Sequence, residues 1–410
     1  MKIEEAYDRL LAIGLADTPQ PLLSFTDEPK LAGFQARIPE GRSWDGSPEL
    51  VGQGLDPDPL TAKAKALAEA YERLGLFLPP SDPPRRARYG DLADQTDPAD
   101  FFCYSSAQCK DRDFELRAIR DAELEWTPAR EHGSGREVLL PSQLVYVNAA
   151  RRDPLRIRRE SISSGAAVGA AGTGEAFARG LFELIERDAF IGCWLSSESP
   201  PRIGGFQGEI AELIALLERY RLDCRVFNTR RDLEAPSVLA LTLDRSGVGP
   251  AVTAGIAAAE TYEDAVRSAV LESISYRRSL RFRLISGDLP PVATGSEIVS
   301  IESRIVYWSK PERLADLPAW THAPPAVSMA LLSAASCGLR DVLHRLSELG
   351  FRIFEADITD ARVASAGFEA MRVVVPELHP LYISEASKAL RSEHLGDIAA
   401  ASNPLPHPFA

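Results

Sequence analysis

The stretch LFELIERDAF, residues 181–190, contains two glutamates and an arginine within five positions of a run that is otherwise almost wholly apolar. A helical period places Phe177, Leu181 and Ile185 on one face, and neighbouring apolar residues widen that face until it nearly encircles the helix. We therefore predict a long helix that is buried on more than one side. The charged side chains share the one remaining stripe, which consists of Arg179, Glu183, Glu186 and Arg187.

This charged stripe has two interpretations. Carboxylates that are half-submerged in a protein core are costly unless a cation neutralises them, so the stripe is a candidate binding site. Alternatively, it is a solvent-facing surface with an internal Glu-Arg pair, which is common on ordinary helices. The sequence of this helix alone leaves both interpretations open.

The composition limits the classes of function. The chain has 410 residues, of which 45% are hydrophobic, so it can form one large α/β domain or two smaller ones. Its net charge of −13 argues against general binding to nucleic acid or to an anionic membrane. The acidic N-terminus does not resemble a signal peptide, and no apolar run has the length of a membrane span. Five scattered cysteines favour a reducing environment, so we expect a cytoplasmic protein.

Helical and extended patterns alternate along the chain, which predicts a mixed α/β architecture. Besides the helix after Thr173, the predicted helices cover residues 1–13, 60–74, 262–282 and 338–349. The predicted strands cover 224–230 and 237–244, two short segments around Pro141, and the runs FRIFEADIT and MRVVVPEL. Residues 17–60 are rich in Pro, Gly and Asp and are predicted to hold few regular elements, and both 81–100 and the segment before Thr173 are predicted loops.

An internal repeat of the ExxER spacing strengthens the binding-site interpretation. EAYERLG at 69–75 has the same spacing as ELIERDA at 183–189, although the first helix alone would be an ordinary amphipathic helix. If the two charged stripes face each other, four carboxylates converge, namely those of Glu69, Glu72, Glu183 and Glu186. Such a cluster raises its own pKa values unless divalent cations neutralise it. Magnesium fits because it prefers oxygen ligands and commonly binds together with phosphates.

Several further segments, taken in order, carry a family resemblance. They are LPSQLVYV, SSGAAVG, ELIERDAF with Trp194, VVVPELHPLY and the terminal NPLPHPFA. This set resembles the hallmarks of the YcaO family, and the chain is similar to the stand-alone component of an azoline-forming cyclodehydratase from about Gly52 to Ala410. The resemblance implies a YcaO-type fold with two quasi-repeated ExxER helices around a nucleotide site. It also implies a catalytic domain at 46–410 with a proline-rich tail, preceded by an N-terminal extension at 1–45.

The resemblance further implies ATP and Mg²⁺ as cofactors. The implied reaction phosphorylates a backbone amide oxygen and converts Cys, Ser or Thr of a ribosomally made precursor peptide into thiazoline or oxazoline. The implied nucleotide-binding residues are Glu69, Glu72, Arg73, Glu183, Glu186, Arg187, Glu272 and Arg277, and the four ExxER glutamates would also bind Mg²⁺. In related enzymes the tail reaches the active site, which here involves Pro404, Pro406 and Pro408, with the Ala410 carboxylate and His407 as candidates for proton transfer.

The sequence departs from the family pattern at two positions. Gly52-Gln53-Gly54 stands where relatives usually have Gly-Lys-Gly, and Lys65 stands where a serine is common. Either Lys63 or Lys65 supplies the missing cation, or nucleotide binding is weakened. Three hypotheses remain: a cyclodehydratase, a YcaO enzyme that forms a thioamide or amidine, and a catalytically degenerate scaffold subunit.

No segment resembles a leader-binding or ubiquitin-activating-enzyme-like domain. We therefore expect a separate partner of that kind in addition to the precursor peptide. Whether a flavin-dependent dehydrogenase oxidises the azolines is left open by the sequence.

Two smaller candidate sites are also visible. Glycines 165, 169, 172 and 174 precede a helix, so their N–H groups could bind phosphate, or they could simply form tight turns. Arg277, Arg278, Arg281 and Arg283 form a basic band that fits phosphates or an acidic leader, although a solvated helix face is the commoner outcome.

Overall fold

The computed structural model describes residues 1–77, 84–157, 164–196, 199–287, 289, 297–335, 337–392, 396–397 and 403–409. The α-helices are α1 (Ile3–Ala12), α2 (Pro59–Gly75), α3 (Ser106–Asp111), α4 (Asp113–Asp121), α5 (Glu175–Leu195), α6 (Gly208–Arg219), α7 (Tyr262–Ser286), α8 (Ile301–Ser309), α9 (Pro318–Thr321), α10 (Met329–Ser333), α11 (Leu339–Glu348) and α12 (Ala361–Ser365). Short 3₁₀ helices cover Pro98–Phe102, Ser142–Leu144, Ala149–Arg151, Pro311–Asp316 and Glu385–Ser387.

The β-strands are β1 (Gln20–Pro21), β2 (Ala32–Ile38), β3 (Leu50–Asp56), β4 (Arg85–Ala87), β5 (Leu124–Glu131), β6 (Glu137–Pro141), β7 (Ala166–Ala170), β8 (Arg202–Gly204), β9 (Leu222–Asn228), β10 (Ser237–Asp244), β11 (Val252–Ala258), β12 (Pro325–Ser328), β13 (Phe354–Asp357), β14 (Phe368–Val374), β15 (Arg391–Ser392) and β16 (Gly396–Asp397). The predicted mixed α/β class is confirmed.

The chain forms two compact units, and each unit is assembled from separate segments. Unit 1 consists of Met1–Leu23, Leu31–Leu184 and Phe351–Glu377, and unit 2 of Ser24–Lys30, Ile185–Gly350 and Leu378–Ala410. Residues 1–23 and 31–45 belong to unit 1 and residues 24–30 to unit 2, and the predicted boundary between an extension and a catalytic domain at 45/46 stays a prediction. Within unit 1, β2 pairs with β3 along its whole length, and the Tyr71 hydroxyl on α2 donates to the Leu10 carbonyl of α1 over 3.0 Å.

Unit 1 contains two sheets. The first is antiparallel with the order β1-β2-β3, and α2 packs against β2 and β3. The second has the order β4-β5-β13-β14-β7, with β6 paired to β5. The strands predicted in FRIFEADIT and MRVVVPEL are therefore confirmed as β13 and β14.

Unit 2 is built on a sheet with the order β11-β10-β9-β8-β12, and α7 packs against β10 and β11. Its core contains a set of large aromatic side chains, among them Trp194, Phe227, Trp308 and Phe409, each at most 2% exposed. Within the described residues, none of the helices combines the length and the apolar composition needed to cross a membrane.

Helix α5 is buried on several sides, as predicted. Leu181, Ile185, Phe190 and Trp194 are each at most 1% exposed although they point in different directions around the helix. The charged residues of the same helix occupy partly buried positions, since the Glu186 and Arg187 side chains are 12% and 14% exposed. A fully solvent-facing stripe is therefore excluded for this part of the helix.

The prediction of few regular elements in residues 17–60 is wrong, because β1, β2 and β3 lie there. The glycines of β3 suggested a loop, but they permit close packing against a helix. A Cβ added at Gly54 would lie 2.0 Å from the Ala62 carbonyl oxygen, and one at Gly52 would lie 2.2 Å from that of Ala66. Gly255 of β11 has the same relation to α7, since its added Cβ would lie 2.1 Å from the Ala269 oxygen.

Other segments predicted as loops or strands also differ from the structure. β4 lies in the predicted loop at 81–100, and β7 lies in the glycine-rich segment before Thr173. Around Pro141, one strand is followed by a 3₁₀ turn instead of a second strand, because the chain bends after β6. In each case the element is short or rich in glycine, so it lacks the hydrophobic period by which longer helices and strands are predicted.

The glycine packing predicts a large effect of one methyl group. We expect Gly54→Ala to lower the free energy of unfolding by about 1–3 kcal/mol or more, because the new Cβ would overlap a helix carbonyl that cannot move independently. Gly338→Ala is the matched control, since its Cβ would lie 3.6 Å from the nearest atom. Denaturant unfolding of both variants measures the difference. Equal stability of the two would show that β3 and α2 are less closely packed than described.

Candidate functional site

Within unit 1, carboxylates of the first ExxER helix, α2, lie near a carboxylate of the second ExxER helix, α5. Glu72 is a partly buried residue of α2, and Glu69 precedes it by three positions. Loss of hydration raises the pKa of Glu72 well above its ordinary value, and the negative charges of Glu183 and Glu69 raise it further. The Glu72 carboxylate is therefore influenced by both of these negative charges, and the proposal that the two ExxER motifs form one site stays a prediction.

Backbone amides of β3 and of the turn before β7 hold two of the candidate carboxylates. In unit 1, Glu69 accepts a hydrogen bond from the Gln53 N–H over 2.6 Å, and Glu183 accepts one from the Gly165 N–H over 2.7 Å. Each bond fixes the direction of a carboxylate on a helix without adding a positive charge.

The same arrangement occurs in unit 2. Glu272 of α7 accepts from the Ile256 N–H over 2.7 Å, and Glu186 of α5 accepts from the Ala258 N–H over 3.2 Å. Both donors belong to β11. The strand amides were missed at the sequence level because no side-chain type identifies them.

The arginines of the two motifs have different surroundings. Arg73 donates from Nε to Glu69 over 3.2 Å, as an i,i+4 pair on α2. The Arg187 guanidinium lies 3.9 Å from Glu186 and 6.0 Å from the centre of the Phe409 ring. Arg187 thus lies near a carboxylate of its own helix and near a ring of the C-terminal tail.

Arg277 does not occupy an open phosphate site, and the expectation for it needs correction. Its side chain is 3% exposed and donates to Glu28 over 2.9 Å, to Asp244 over 2.7 Å and to the Pro250 carbonyl over 3.0 Å. All three of its nitrogens are engaged. Its place on the same helix as Glu272 suggested a binding role, but acidic partners distant in sequence compensate its burial.

Two further arginines of the basic band also pair with carboxylates. Arg281 contacts Asp27 and Glu28, and Arg283 contacts Glu302 over 2.6 Å. The segment 24–30 is therefore joined to unit 2 through ion pairs with α7. A phosphate-binding or leader-binding role of this band is not supported.

Both candidate lysines lie on α2. Lys65 forms an ion pair with Asp56 over 2.7 Å, and Asp56 itself is 1% exposed. Lys63 instead lies over the Phe34 ring, with Nζ 5.0 Å from the ring centre. Lys65 lies on the same helix face as Glu69 and Glu72. Of the two lysines, it is therefore the better candidate to replace the lysine that relatives have at the position of Gln53.

The glycines before α5 serve packing and hydrogen bonding within unit 1. The Gly165 N–H donates to Glu183, and the Gly172 N–H donates to Glu369 over 3.0 Å. A Cβ at Gly169 would lie 2.5 Å from the Ala176 nitrogen. These contacts favour the structural interpretation over a phosphate loop.

The proline-rich tail is docked within unit 2. Pro404 is exposed, whereas Pro406 and Pro408 are buried. The Trp194 indole donates to the Leu405 carbonyl over 3.0 Å, and the His407 carbonyl accepts from Arg304 over 2.8 Å and from Trp308 over 3.1 Å. Proline has no N–H, so alternating prolines remove donors that burial would otherwise leave unsatisfied.

His407 is not suited to proton transfer with substrate, contrary to the expectation. Its side chain is 1% exposed, and Nε2 lies 2.7 Å from the Tyr382 carbonyl oxygen, to which it donates as a neutral imidazole. Burial lowers the pKa of His407 well below its usual value, and the nearby Arg304 charge lowers it further. The candidate carboxylate of Ala410 lies outside the described residues.

One further acidic residue was missed at the sequence level. Asp188, immediately after the second ExxER motif, is fully buried and accepts from the His379 N–H over 2.7 Å. It joins α5 to the segment that follows β14 along the chain. An isolated aspartate in an apolar run was the only available signal.

The sequence profile of a family described as ATP- and Mg²⁺-binding YcaO cyclodehydratases matches residues 51–379. The protein belongs to the YcaO family. ATP and Mg²⁺ are the cofactors of that family. No curated protein sequence matches the chain.

Solved structures of other YcaO proteins and heterocyclases have a similar fold. A heterocyclase in complex with substrate and cofactor shares 19% identity at a TM-score of 0.73, covering 100% of this chain and 57% of that one. A YcaO protein from Methanopyrus kandleri bound with AMPPCP and Mg²⁺ shares 19% identity at a TM-score of 0.68, covering 95% and 94%. The E. coli microcin synthetase McbBCD complex gives 17% identity at a TM-score of 0.64, covering 93% and 95%. The chain thus spans little more than half of the heterocyclase.

The carboxylates of this YcaO chain fit magnesium held together with phosphates. Among the described residues, no group of three or more His, Cys, Asp or Glu side chains is arranged to hold a metal ion by itself. Magnesium, however, commonly keeps waters and phosphate oxygens and uses only one or two carboxylates. Glu69 and Glu183 raise the pKa of Glu72, whereas Arg73 and Arg372 lower it, and the three carboxylates offer the oxygen ligands that Mg²⁺ prefers.

The raised pKa of Glu72 predicts a stability change. A raised folded-state pKa stabilises the protein below the unfolded value of 4.5, and that contribution is lost as pH rises through the folded-state pKa. Glu72→Gln, which mimics the protonated form, should therefore raise the melting temperature by several degrees at neutral pH without metal. The difference should disappear below pH 4.5.

Glu49→Gln is the control for this measurement, because Glu49 is half-exposed and 3.6 Å from Arg37. Thermal unfolding in chelator, recorded from acidic to neutral pH, compares the variants. A melting temperature that falls at neutral pH in Glu72→Gln would contradict the repulsion between these carboxylates.

Proposed function

We propose that the protein is an ATP- and Mg²⁺-dependent cyclodehydratase that converts Cys, Ser or Thr of a ribosomal precursor peptide into thiazoline or oxazoline. The observation that carries the proposal is the cluster of interacting carboxylates on the two ExxER helices, in a chain of this family. A heterocyclase and a microcin synthetase share the fold, which supports this reaction class.

The chemistry requires activation of a poor leaving group. A substrate side chain attacks the preceding amide carbon, and the former amide oxygen leaves as phosphate after phosphorylation. ATP supplies that phosphoryl group, and Mg²⁺ neutralises the charge that spreads over it. The protein must therefore hold phosphates in line with the amide oxygen and exclude water.

We assign these tasks to residues of the two motifs. Glu69, Glu72 and Glu183 would hold Mg²⁺, supported by the effect of Glu69 and Glu183 on the pKa of Glu72 and by the backbone amides that orient Glu69 and Glu183. Glu186 follows Glu183 by one helical turn and would complete the set. Arg187 would stabilise negative charge on phosphate, and Arg73 would hold Glu69 in place. Glu272 would bind the nucleotide, supported by its Ile256 hydrogen bond.

A degenerate scaffold is the second candidate function. It is favoured by Gln53 at the position of the expected lysine and by the ion pair of Lys65 with the buried Asp56. If Lys65 is required by Asp56, it cannot neutralise phosphate without leaving a buried carboxylate unpaired. ATP turnover separates the two candidates, because a scaffold would not hydrolyse ATP. A YcaO enzyme forming a thioamide or amidine would differ in its product.

The first functional test removes two carboxylates. Glu183→Gln with Glu186→Gln should abolish ATP turnover in the presence of partner and peptide, while circular dichroism and melting show a folded protein. Glu175→Gln on the same helix is the control, because its ion pair with Arg179 is exposed and should leave turnover unchanged. If the double variant hydrolyses ATP as fast as the parent protein, the metal site lies elsewhere.

The second test concerns partners. We propose that a separate leader-binding protein, ubiquitin-activating-enzyme-like in character, delivers the precursor peptide, as the multi-protein microcin synthetase suggests. The isolated chain should then bind the leader weakly, whereas the partner should add tight binding and faster ATP use. Titration of a labelled leader peptide with each protein and with the mixture measures this. Tight leader binding by the isolated chain would contradict the proposal.

A further inference from the structure

The C-terminal tail runs along helix α5 in the opposite direction. Trp194 near the end of the helix donates to Leu405, Phe190 one turn earlier contacts His407 at a ring distance of 5.7 Å, and Arg187 lies over Phe409. Two extended residues span about 6–7 Å, which matches about four residues of a helix. The tail and the helix therefore stay in register up to the second ExxER motif.

Phe409 contacts both helices of unit 2 that carry candidate nucleotide residues. Its ring lies 6.0 Å from the Arg187 guanidinium and 5.2 Å from the Tyr276 ring. Tyr276 follows Glu272 by one turn of α7. Phe409 is 2% exposed, so its ring position is fixed by packing.

Carbonyl contacts fix the tail up to this residue. Arg304 and Trp308 of α8 both donate to the His407 carbonyl, two residues before Phe409. Arg304 is 1% exposed and also pairs with Glu385 over 3.0 Å. Because a buried arginine is costly to displace, the tail is held firmly in one position.

We propose that Phe409 is a positioning residue, which holds the Arg187 guanidinium in the orientation that binds the nucleotide phosphates. This inference rests on the proposed function of Arg187. An aromatic face attracts a guanidinium through its quadrupole, so the Phe409 ring favours one placement of the Arg187 guanidinium. The tail thus contributes to nucleotide affinity through a side chain, independently of any carboxylate chemistry at its end.

A double-mutant cycle on nucleotide binding tests the proposal. The variants are Phe409→Leu, Arg187→Met and the combination, and the probe is AMPPCP with Mg²⁺ in titration calorimetry. Phe409→Leu should weaken binding about three- to tenfold, the range expected for a partly desolvated cation–π contact. In the Arg187→Met background, Phe409→Leu should cause no further loss, because the positioned group is absent.

Phe227→Leu is the packing control. Phe227 is fully buried in the same core, contacting Trp320, and it should lower the melting temperature without weakening AMPPCP binding. If Phe409→Leu does not fold, Phe409→Met keeps a similar apolar volume and serves in its place. Multiplicative losses in the double variant, parent-like binding by Phe409→Leu, or equal weakening by Phe227→Leu would each overturn the proposal.

The outcomes also separate this proposal from the proposed function. If the parent protein does not bind AMPPCP with Mg²⁺, the proposed function fails, and this inference fails with it. If the parent binds and Arg187→Met is weakened but Phe409→Leu is not, only the positioning role is wrong.

Discussion

The close contact between a glycine-bearing strand and a helix is the constraint on which the candidate site depends. A Cβ on Gly52, Gly54 or Gly255 would overlap helix carbonyl groups, so only glycine permits the observed separation. At that separation, the strand amides of Gln53 and Ile256 reach the carboxylates of the adjacent helices. Replacing a glycine would therefore both strain the fold and move carboxylates away from their donors.

Backbone amides orient these carboxylates but do not neutralise them. A hydrogen bond from an amide stabilises the negative charge of a carboxylate but does not cancel it. The pKa of Glu72 is therefore still raised by the charges of Glu69 and Glu183. The helices are held by buried apolar residues such as Leu67 and Leu181, which can offset the repulsion.

The sequence was most informative where a pattern repeats over several turns. Helices α2, α5 and α7 were predicted because their apolar periods are long, and the repeated ExxER spacing gave the prediction, which stays a prediction, that the carboxylates of the two motifs form one site. Strand β3 was missed because its glycines also occur in loops. Arg277 was misjudged because its partners Glu28 and Asp244 are distant in sequence, and no local pattern indicates ion pairs formed by tertiary folding.

The tail shows how one sequence feature can satisfy two physical requirements. Alternating prolines stiffen an extended segment, and this was the basis for predicting that its end reaches an active site. They also lack N–H groups, so burying them leaves only carbonyl groups to satisfy, and Trp194, Arg304 and Trp308 supply donors to those of Leu405 and His407. A tail that moved freely in solvent would need only the stiffness, because water would satisfy its carbonyl groups. Because the donors for its carbonyls are themselves buried in the core of unit 2, the tail is part of that packed core, and its Phe409 ring lies 6.0 Å from the Arg187 guanidinium.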